Sequence, residues 1–111
     1  MKLNRLRSVV NQCVRSSASR DGKYLIDPFY HYTPEIKIEV NLITGELTPD
    51  MEGDDVENYY KGISEWFHQV LPKEGIPLNV IDKAILKISP NGKECIIHAR
   101  EREFKAFISF K

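Results

Sequence analysis

A histidine and two arginines alternate near the end of the chain, in the segment His98-Ala-Arg100-Glu-Arg102. If this segment is a β-strand, His98, Arg100 and Arg102 share one face, because successive side chains of a strand point to opposite sides. Guanidinium groups bind carboxylates and phosphates through paired, charge-assisted hydrogen bonds. The favoured interpretation is a solvent-facing sheet surface whose charges form cross-strand ion pairs. The alternative is an anion-binding cluster formed by His98, Arg100 and Arg102.

A second group of residues suited to binding is the aromatic segment between Pro28 and Pro34, PFYHYTP. Proline has no N–H to give to a sheet, so two prolines confine this piece to a sheet edge or a bulge. Tyr30 and Tyr32 would share one face, and tyrosine suits a half-wet contact because its ring is buried while its hydroxyl stays hydrated. The segment is interpreted as a sheet rim packed on the core, as part of a protein contact, or as a stacking platform for bases or sugars.

Leu42 and Ile43 are two large apolar residues at the expected tip of a hairpin, a place where polar residues are usual. Such side chains either fold back onto a helix or meet a partner. Both alternatives stay open from the sequence, and the second adds Leu42 and Ile43 to the tyrosines as candidate partner-binding residues.

The sequence contains no recognisable metal-ligand or catalytic spacing. The three histidines are far apart, without the HxH or HExxH spacing of a metal site, and no Gly-rich phosphate loop or GxSxG turn occurs. The acidic run at residues 50–55 has its glycine at the wrong place for an EF-hand. We therefore expect no catalytic residue, no metal site and no cofactor.

The two cysteines, Cys13 and Cys95, are too few for a disulfide framework and lack zinc-site spacing. Both fall within apolar patterns, which predicts buried thiols that form no disulfide. Chains that keep their thiols reduced are typical of the cytoplasm, so we expect a cytoplasmic location.

Two segments have the apolar spacing of amphipathic helices, at about 3–18 and 55–71. The second is expected to begin at Asp54 or Asp55, because acidic residues suit the positive end of the helix dipole, and to end before Pro72. Gly62, in its interior, costs about 1 kcal/mol relative to alanine and so indicates a close neighbour on that flank.

The remaining segments alternate with the period of two that is typical of half-buried strands. Residues 35–42 are followed by a turn at Thr44-Gly45 and a short return over 46–48. Residues 84–89 and 94–100 flank Pro90-Asn91-Gly92, for which we predict a three-residue hairpin with a glycine bulge. Two points stay open, namely whether 78–88 is helix or strand and whether 94–110 is one long strand or two.

This order of elements predicts one α+β domain over residues 1–111, consistent with a length of 111 residues. We expect an antiparallel sheet of four to five strands built from hairpins, with both helices packed on one face.

The charges balance over the whole chain, with 16 basic and 16 acidic residues. Residues 1–23 hold six basic residues against Asp21, a net +5, whereas residues 46–57 hold six acids and no base. A balanced total gives no general attraction to nucleic acid, and no apolar run approaches the ~20 residues that span a bilayer.

These observations predict a small non-enzymatic protein-interaction domain that self-associates through a sheet edge or hairpin tip. A homodimer is the expected assembly, with a dedicated protein partner as the other possibility and no membrane association. One alternative is a nucleic-acid-binding domain that uses the basic N-terminal helix. Another is a small ligand-binding or enzymatic domain that uses the His/Arg cluster.

Overall fold

The structure is a computed structural model that describes residues 3–19, 37–48, 55–89 and 91–109. The described residues contain two α-helices, α1 (Leu6–Ser19) and α2 (Asp55–Lys73), and two short 3-10 segments at Leu3–Arg5 and Leu78–Val80. The strands are β1 (Ile38–Asn41), β2 (Leu47–Thr48), β3 (Ile81–Ser89), β4 (Gly92–Ala99) and β5 (Arg102–Ser109).

The five strands form one antiparallel sheet in the order β2-β1-β3-β4-β5. The sheet is open, and α1 packs on β4 and β5 while α2 packs on β1. The predicted α+β class, the antiparallel sheet of four to five strands and the packing of helices on it are confirmed.

One apolar core lies between the helices and the sheet. Alternate residues of the strands point into it, and directly paired residues such as Ile38 and Ile88 are both buried. From α2, Tyr60, Phe67 and Leu71 reach the same core at 0–1% exposure. Burying a large apolar side chain stabilises the fold by about 1.5–3 kcal/mol, so this layer holds the helices on the sheet.

The end of α2 differs from the prediction, because the helix runs through Pro72 to Lys73. The Ile76 N–H donates to the Leu71 carbonyl (2.9 Å) and the Gly75 N–H to the Pro72 carbonyl (3.1 Å), with Gly75 at φ 76°. This is a Schellman motif, which satisfies the last carbonyls and buries Ile76. A proline so near the end interrupts little of the helix, and the motif beyond it fixes where the helix stops.

The described residues differ from the expectations for two glycines. A Cβ at Gly62 would meet no described atom within 4 Å, so the expected close neighbour is absent from the described residues. Gly92 pairs directly with Ser89 and begins β4, so the connection is two residues long and contains no glycine bulge. A Cβ at Gly92 would collide with the Ile108 carbonyl oxygen and approach the Phe107 ring to 2.8 Å, so close contact with β5 requires the glycine.

Both open questions about the strands are answered. Leu78–Val80 is a single 3-10 turn, and Ile81–Ser89 is strand. Residues 92–109 form two strands, because the chain reverses at Arg100-Glu101, which have φ of 51° and 64°. Two adjacent left-handed residues match a type I′ hairpin turn, which normally takes Asn-Gly.

Within the described ranges, no helix has the length and apolar character needed to span a bilayer.

Candidate interaction surface

The outer side of β5 is the longest edge of the sheet. It runs over eight residues, Arg102–Ser109, and no described residue pairs with it on that side. The opposite edge strand, β2, has only two residues. We call the outer side of β5 the β5 edge. An edge strand carries N–H and C=O groups that can pair with another strand, and proteins usually block such edges with prolines, bulges or lysines.

The β5 edge has little of this protection. It pairs with β4 without any register shift, so the strand contains no bulge on that side. It contains no proline and a single lysine, Lys105. Phe107 is 58% exposed on the same strand, the largest exposure among the big apolar side chains of the described residues.

The side of the sheet away from the helices is also part of this surface, and we call it the open face. At its centre Ile85 pairs with Ile96, both half-buried, whereas Phe107 pairs with Glu94 and its ring lies against Gly92. Charged residues surround these three apolar side chains. The open face includes Glu39 and Asn41 of β1, Lys83, Ile85 and Lys87 of β3, Glu94, Ile96 and His98 of β4, and Glu103, Lys105 and Phe107 of β5.

A histidine–glutamate contact and a lysine–glutamate ion pair join neighbouring strands on the open face next to the β5 edge. His98 Nε2 is 3.3 Å from Glu103 Oε2, and Lys105 Nζ is 3.9 Å from Glu94 Oε2. All four side chains are at least a quarter exposed, so each pair contributes under about 1 kcal/mol. These pairs fix side-chain positions more than they stabilise the fold.

The structure does not bring the predicted anion-binding residues together. His98 lies on the open face and pairs with Glu103. Arg100 lies in the hairpin turn, and Arg102 is paired with buried Ala99, which places it on the helix side, 5.7 Å above the centre of the Phe104 ring. The predicted sharing of one face required an uninterrupted strand, and the turn at Arg100-Glu101 reverses the chain between these residues. Anion binding by any one of them stays a prediction.

Arg100 does line an open cleft of about 530 Å³, together with Pro77, Asn79, Val80 and Asp82. The cleft holds one carboxylate and one guanidinium, both exposed. Because its two charges are opposite, the cleft presents no net charge that would select an anion.

The candidate partner-binding residues have different outcomes. Tyr30 and Tyr32 lie outside the described residues. Leu42 is fully buried, and Ile43 is half-buried against the core. This corresponds to the alternative in which the hairpin tip folds back onto a helix.

Two polar side chains of α2 hold that tip in place. The Ser64 hydroxyl donates to the Leu42 carbonyl oxygen (2.9 Å), and His68 Nε2 lies 3.1 Å from the same oxygen and 2.9 Å from the Ile43 carbonyl oxygen. As an N–H donor to these carbonyls, His68 satisfies backbone groups in the turn. The apolar pair at the tip is thus explained by contacts within the chain.

The basic N-terminal segment offers limited support for nucleic-acid binding. Its apolar residues, including Val9, Val10 and Cys13, are buried. Arg5 and Arg7 are exposed, but Arg5 Nη1 lies 3.2 Å from Glu74 Oε1 at the end of α2. Nucleic-acid binding therefore stays a prediction that draws on few of the described arginines.

Sequence reasoning missed one residue with unusual chemistry, Lys93, which is only 3% exposed. Burial lowers the pKa of its amine from 10.5 to about 8, partly offset by the nearby Cys13. The alternation of the buried residues Cys95, Ile97 and Ala99 extends back to Lys93, so strand period could have placed it inside. Its residue type argued against that position.

Within the described ranges, no group of three His, Cys, Asp or Glu side chains could hold a metal ion. Comparisons of the chain with protein-family models, with curated proteins and with solved structures gave no match.

Proposed function

We propose that this protein is a small interaction domain that self-associates by pairing the β5 edges of two copies. The observation that carries the proposal is the length of that edge, eight residues without bulge or proline, beside an exposed phenylalanine. Adding a strand to such an edge is a general way for proteins to bind. The partner we propose is a second copy, because β5 is complementary to itself in one antiparallel register.

The register follows from which side chains face each other. Residues opposed in an antiparallel pair lie on the same side of the sheet. A two-fold axis through Lys105 would place two lysines in contact, which is unfavourable. An axis through Phe104 pairs Glu103 with Lys105 but leaves Phe107 and Ile108 outside the regular ladder.

An axis through Ala106 gives the best match. Residues 103–109 then pair along the whole strand, and Phe104 faces Ile108 of the second copy on the helix side, where both lie against the core. On the open face Lys105 faces Phe107 of the second copy, where an ammonium group can lie on an aromatic ring. No like charges meet, so we propose this register for the dimer.

Light scattering coupled to gel filtration, over a concentration series, tests the proposal. The expected result is a molar mass that rises from monomer to dimer with concentration. A monomer at every concentration up to the high micromolar range contradicts self-association. In that case a strand of a different protein would be the partner to seek for the same edge.

A further inference from the structure

A cluster of two thiols and an amine is buried where α1 packs on β4. Cys13 of α1 and Cys95 of β4 are both 0% exposed and both are present as thiols. Both belong to the buried core cluster that α1 and β4 share, and a hydrogen bond with Cys13 raises the pKa of the Cys95 thiol. The contact joins the first helix to the fourth strand, across most of the sequence.

Lys93 is the third member of the cluster. It lies two residues before Cys95 on β4, so both side chains project from the helix-covered side of the sheet. Burial lowers the pKa of its amine, and Cys13 lies near enough to offset part of that effect. A lysine in this apolar position is costly unless its environment stabilises it.

We propose that Cys13 and Cys95 form a redox-active pair, which a low-molecular-weight disulfide such as glutathione disulfide converts into an intramolecular disulfide. In the first step the Cys13 sulfur gives up its proton, attacks one sulfur of glutathione disulfide and releases one glutathione thiolate, which takes up a proton. In the second step the Cys95 sulfur loses its proton, attacks Cys13 and displaces the second glutathione. Two protein thiols are oxidised, and one glutathione disulfide is reduced to two glutathione molecules.

The order of the two steps follows from the hydrogen bond. The hydrogen bond with Cys13 and the burial of the side chain raise the pKa of the Cys95 thiol. Cys95 therefore keeps its proton and attacks second. The Lys93 amine, whose pKa is about 8, is present in part without its proton and can accept one from a thiol. The cluster therefore contains an attacking thiol, a resolving thiol and a base.

Burial gives the reaction a distinctive kinetic signature. Glutathione disulfide cannot reach either sulfur until α1 moves away from β4. The rate is therefore expected to level off as the glutathione disulfide concentration rises, because opening becomes the limiting step. The product would fasten α1 to β4 and close a long loop, which is the case in which a disulfide stabilises most.

Intact-mass spectrometry of the folded full chain, incubated with glutathione disulfide, tests the inference. We expect the loss of two hydrogen atoms, with a Cys13–Cys95 linked peptide after proteolysis. The melting temperature is expected to rise by about 10 °C on oxidation. The matched variants Cys13→Ala and Cys95→Ala each retain one thiol and should instead gain one glutathione.

The inference is overturned if the folded wild type keeps both thiols, or stops at a glutathione adduct, while the same protein unfolded in guanidinium chloride reacts. The peptide measurement uses the wild type alone, so it decides the question even if an alanine variant fails to fold. A linked peptide without a higher melting temperature would leave the disulfide established and refute the fastening of α1.

Discussion

The phenyl ring of Phe107 lies over Gly92 on the neighbouring strand, so that a Cβ at Gly92 would come within 2.8 Å of the ring. Phe107 is 58% exposed, yet its ring shields the backbone at the start of β4. The pair joins the β3–β4 turn to the β5 edge. An aromatic ring that covers a glycine on the next strand also helps to fix strand register.

Gly92→Ala is expected to destabilise the protein by about 2 kcal/mol, because the added methyl group collides with the Ile108 carbonyl oxygen and the Phe107 ring. Urea unfolding followed by circular dichroism measures the loss. Gly62→Ala is the matched control, since a Cβ there meets no described atom within 4 Å and alanine favours helix. That variant should gain about 0.5–1 kcal/mol, and equal losses in both variants would contradict the assignment.

Leu42→Ala is expected to lower the free energy of unfolding by about 3 kcal/mol, because Leu42 is fully buried and its removal leaves a cavity beneath the turn. Ser64→Ala should cost about 1–2 kcal/mol through the lost hydrogen bond to the Leu42 carbonyl. Chemical denaturation measures both. Neither change should alter self-association of the folded protein, and a weaker dimer of folded Leu42→Ala would return the hairpin tip to the list of contact sites.

Lys93→Met is expected to raise the free energy of unfolding at pH 7 by up to about 3 kcal/mol, on the order of the pKa difference between the folded and unfolded lysine. In the folded wild type the pKa is about 8 against 10.5 in the unfolded chain. Below pH 8 both states bind the proton and the cost of the buried charge is fully present. Between about 8 and 10.5 the unfolded chain binds more protons, so this group makes stability rise with pH.

The advantage of the methionine variant should therefore shrink as the pH is raised through this window. Cys95 acts in the opposite direction, because its raised pKa makes stability fall once the unfolded thiol ionises. Cys13, Cys95 and Glu94 remain in both proteins, so the difference between wild type and variant isolates Lys93. Urea unfolding at several pH values measures it, and a pH-independent difference would contradict the assigned burial.

The proposed dimer register is tested by two substitutions at one position. Phe107→Lys places a lysine opposite Lys105 of the second copy, twice per dimer, and should weaken self-association at least tenfold. Phe107→Glu removes the same ring but places a carboxylate opposite Lys105, so it should retain association. Sedimentation over a concentration series gives both dissociation constants.

Effects on folding cannot account for that difference. Within one chain Phe107 pairs with Glu94, so a lysine at position 107 gains an attractive neighbour and a glutamate gains a repulsive one. The variant expected to lose the dimer is therefore the one with the more favourable contact inside the monomer. Equal loss of association in both variants would rule out the register centred on Ala106.

Much of the fold could be predicted because the spacing of apolar residues matches the repeat of the helix or strand that they form. The spacing of Tyr60, Ile63, Phe67 and Leu71 allows only a helix that docks on one side, and all four are buried. The alternation of Ile38 and Val40 likewise gave the strand and its inward face.

The missed features have specific causes. Arg100 and Glu101 are not residue types that favour a left-handed turn. The chain reversal between His98 and Arg102 could therefore not be predicted from the sequence. The glycine at position 92 is required by close contact with the Ile108 carbonyl on β5. Local sequence does not show a contact between distant residues, so the same glycine predicts a bulge instead. The alternation of apolar residues predicts strands but not their order in the sheet, so it does not show that β5 is an edge strand. Tyr30 and Tyr32 are predicted as contact residues from their residue type alone.

The packing of α1 on β4 and β5 joins the first helix to the last two strands. During synthesis the apolar side of α1 stays exposed until β4 and β5 have left the ribosome and can pack against it. Loss of the last strand, by truncation or an early stop, would therefore expose the helix as well as the sheet. Such an incomplete chain should be a substrate for chaperones and proteases.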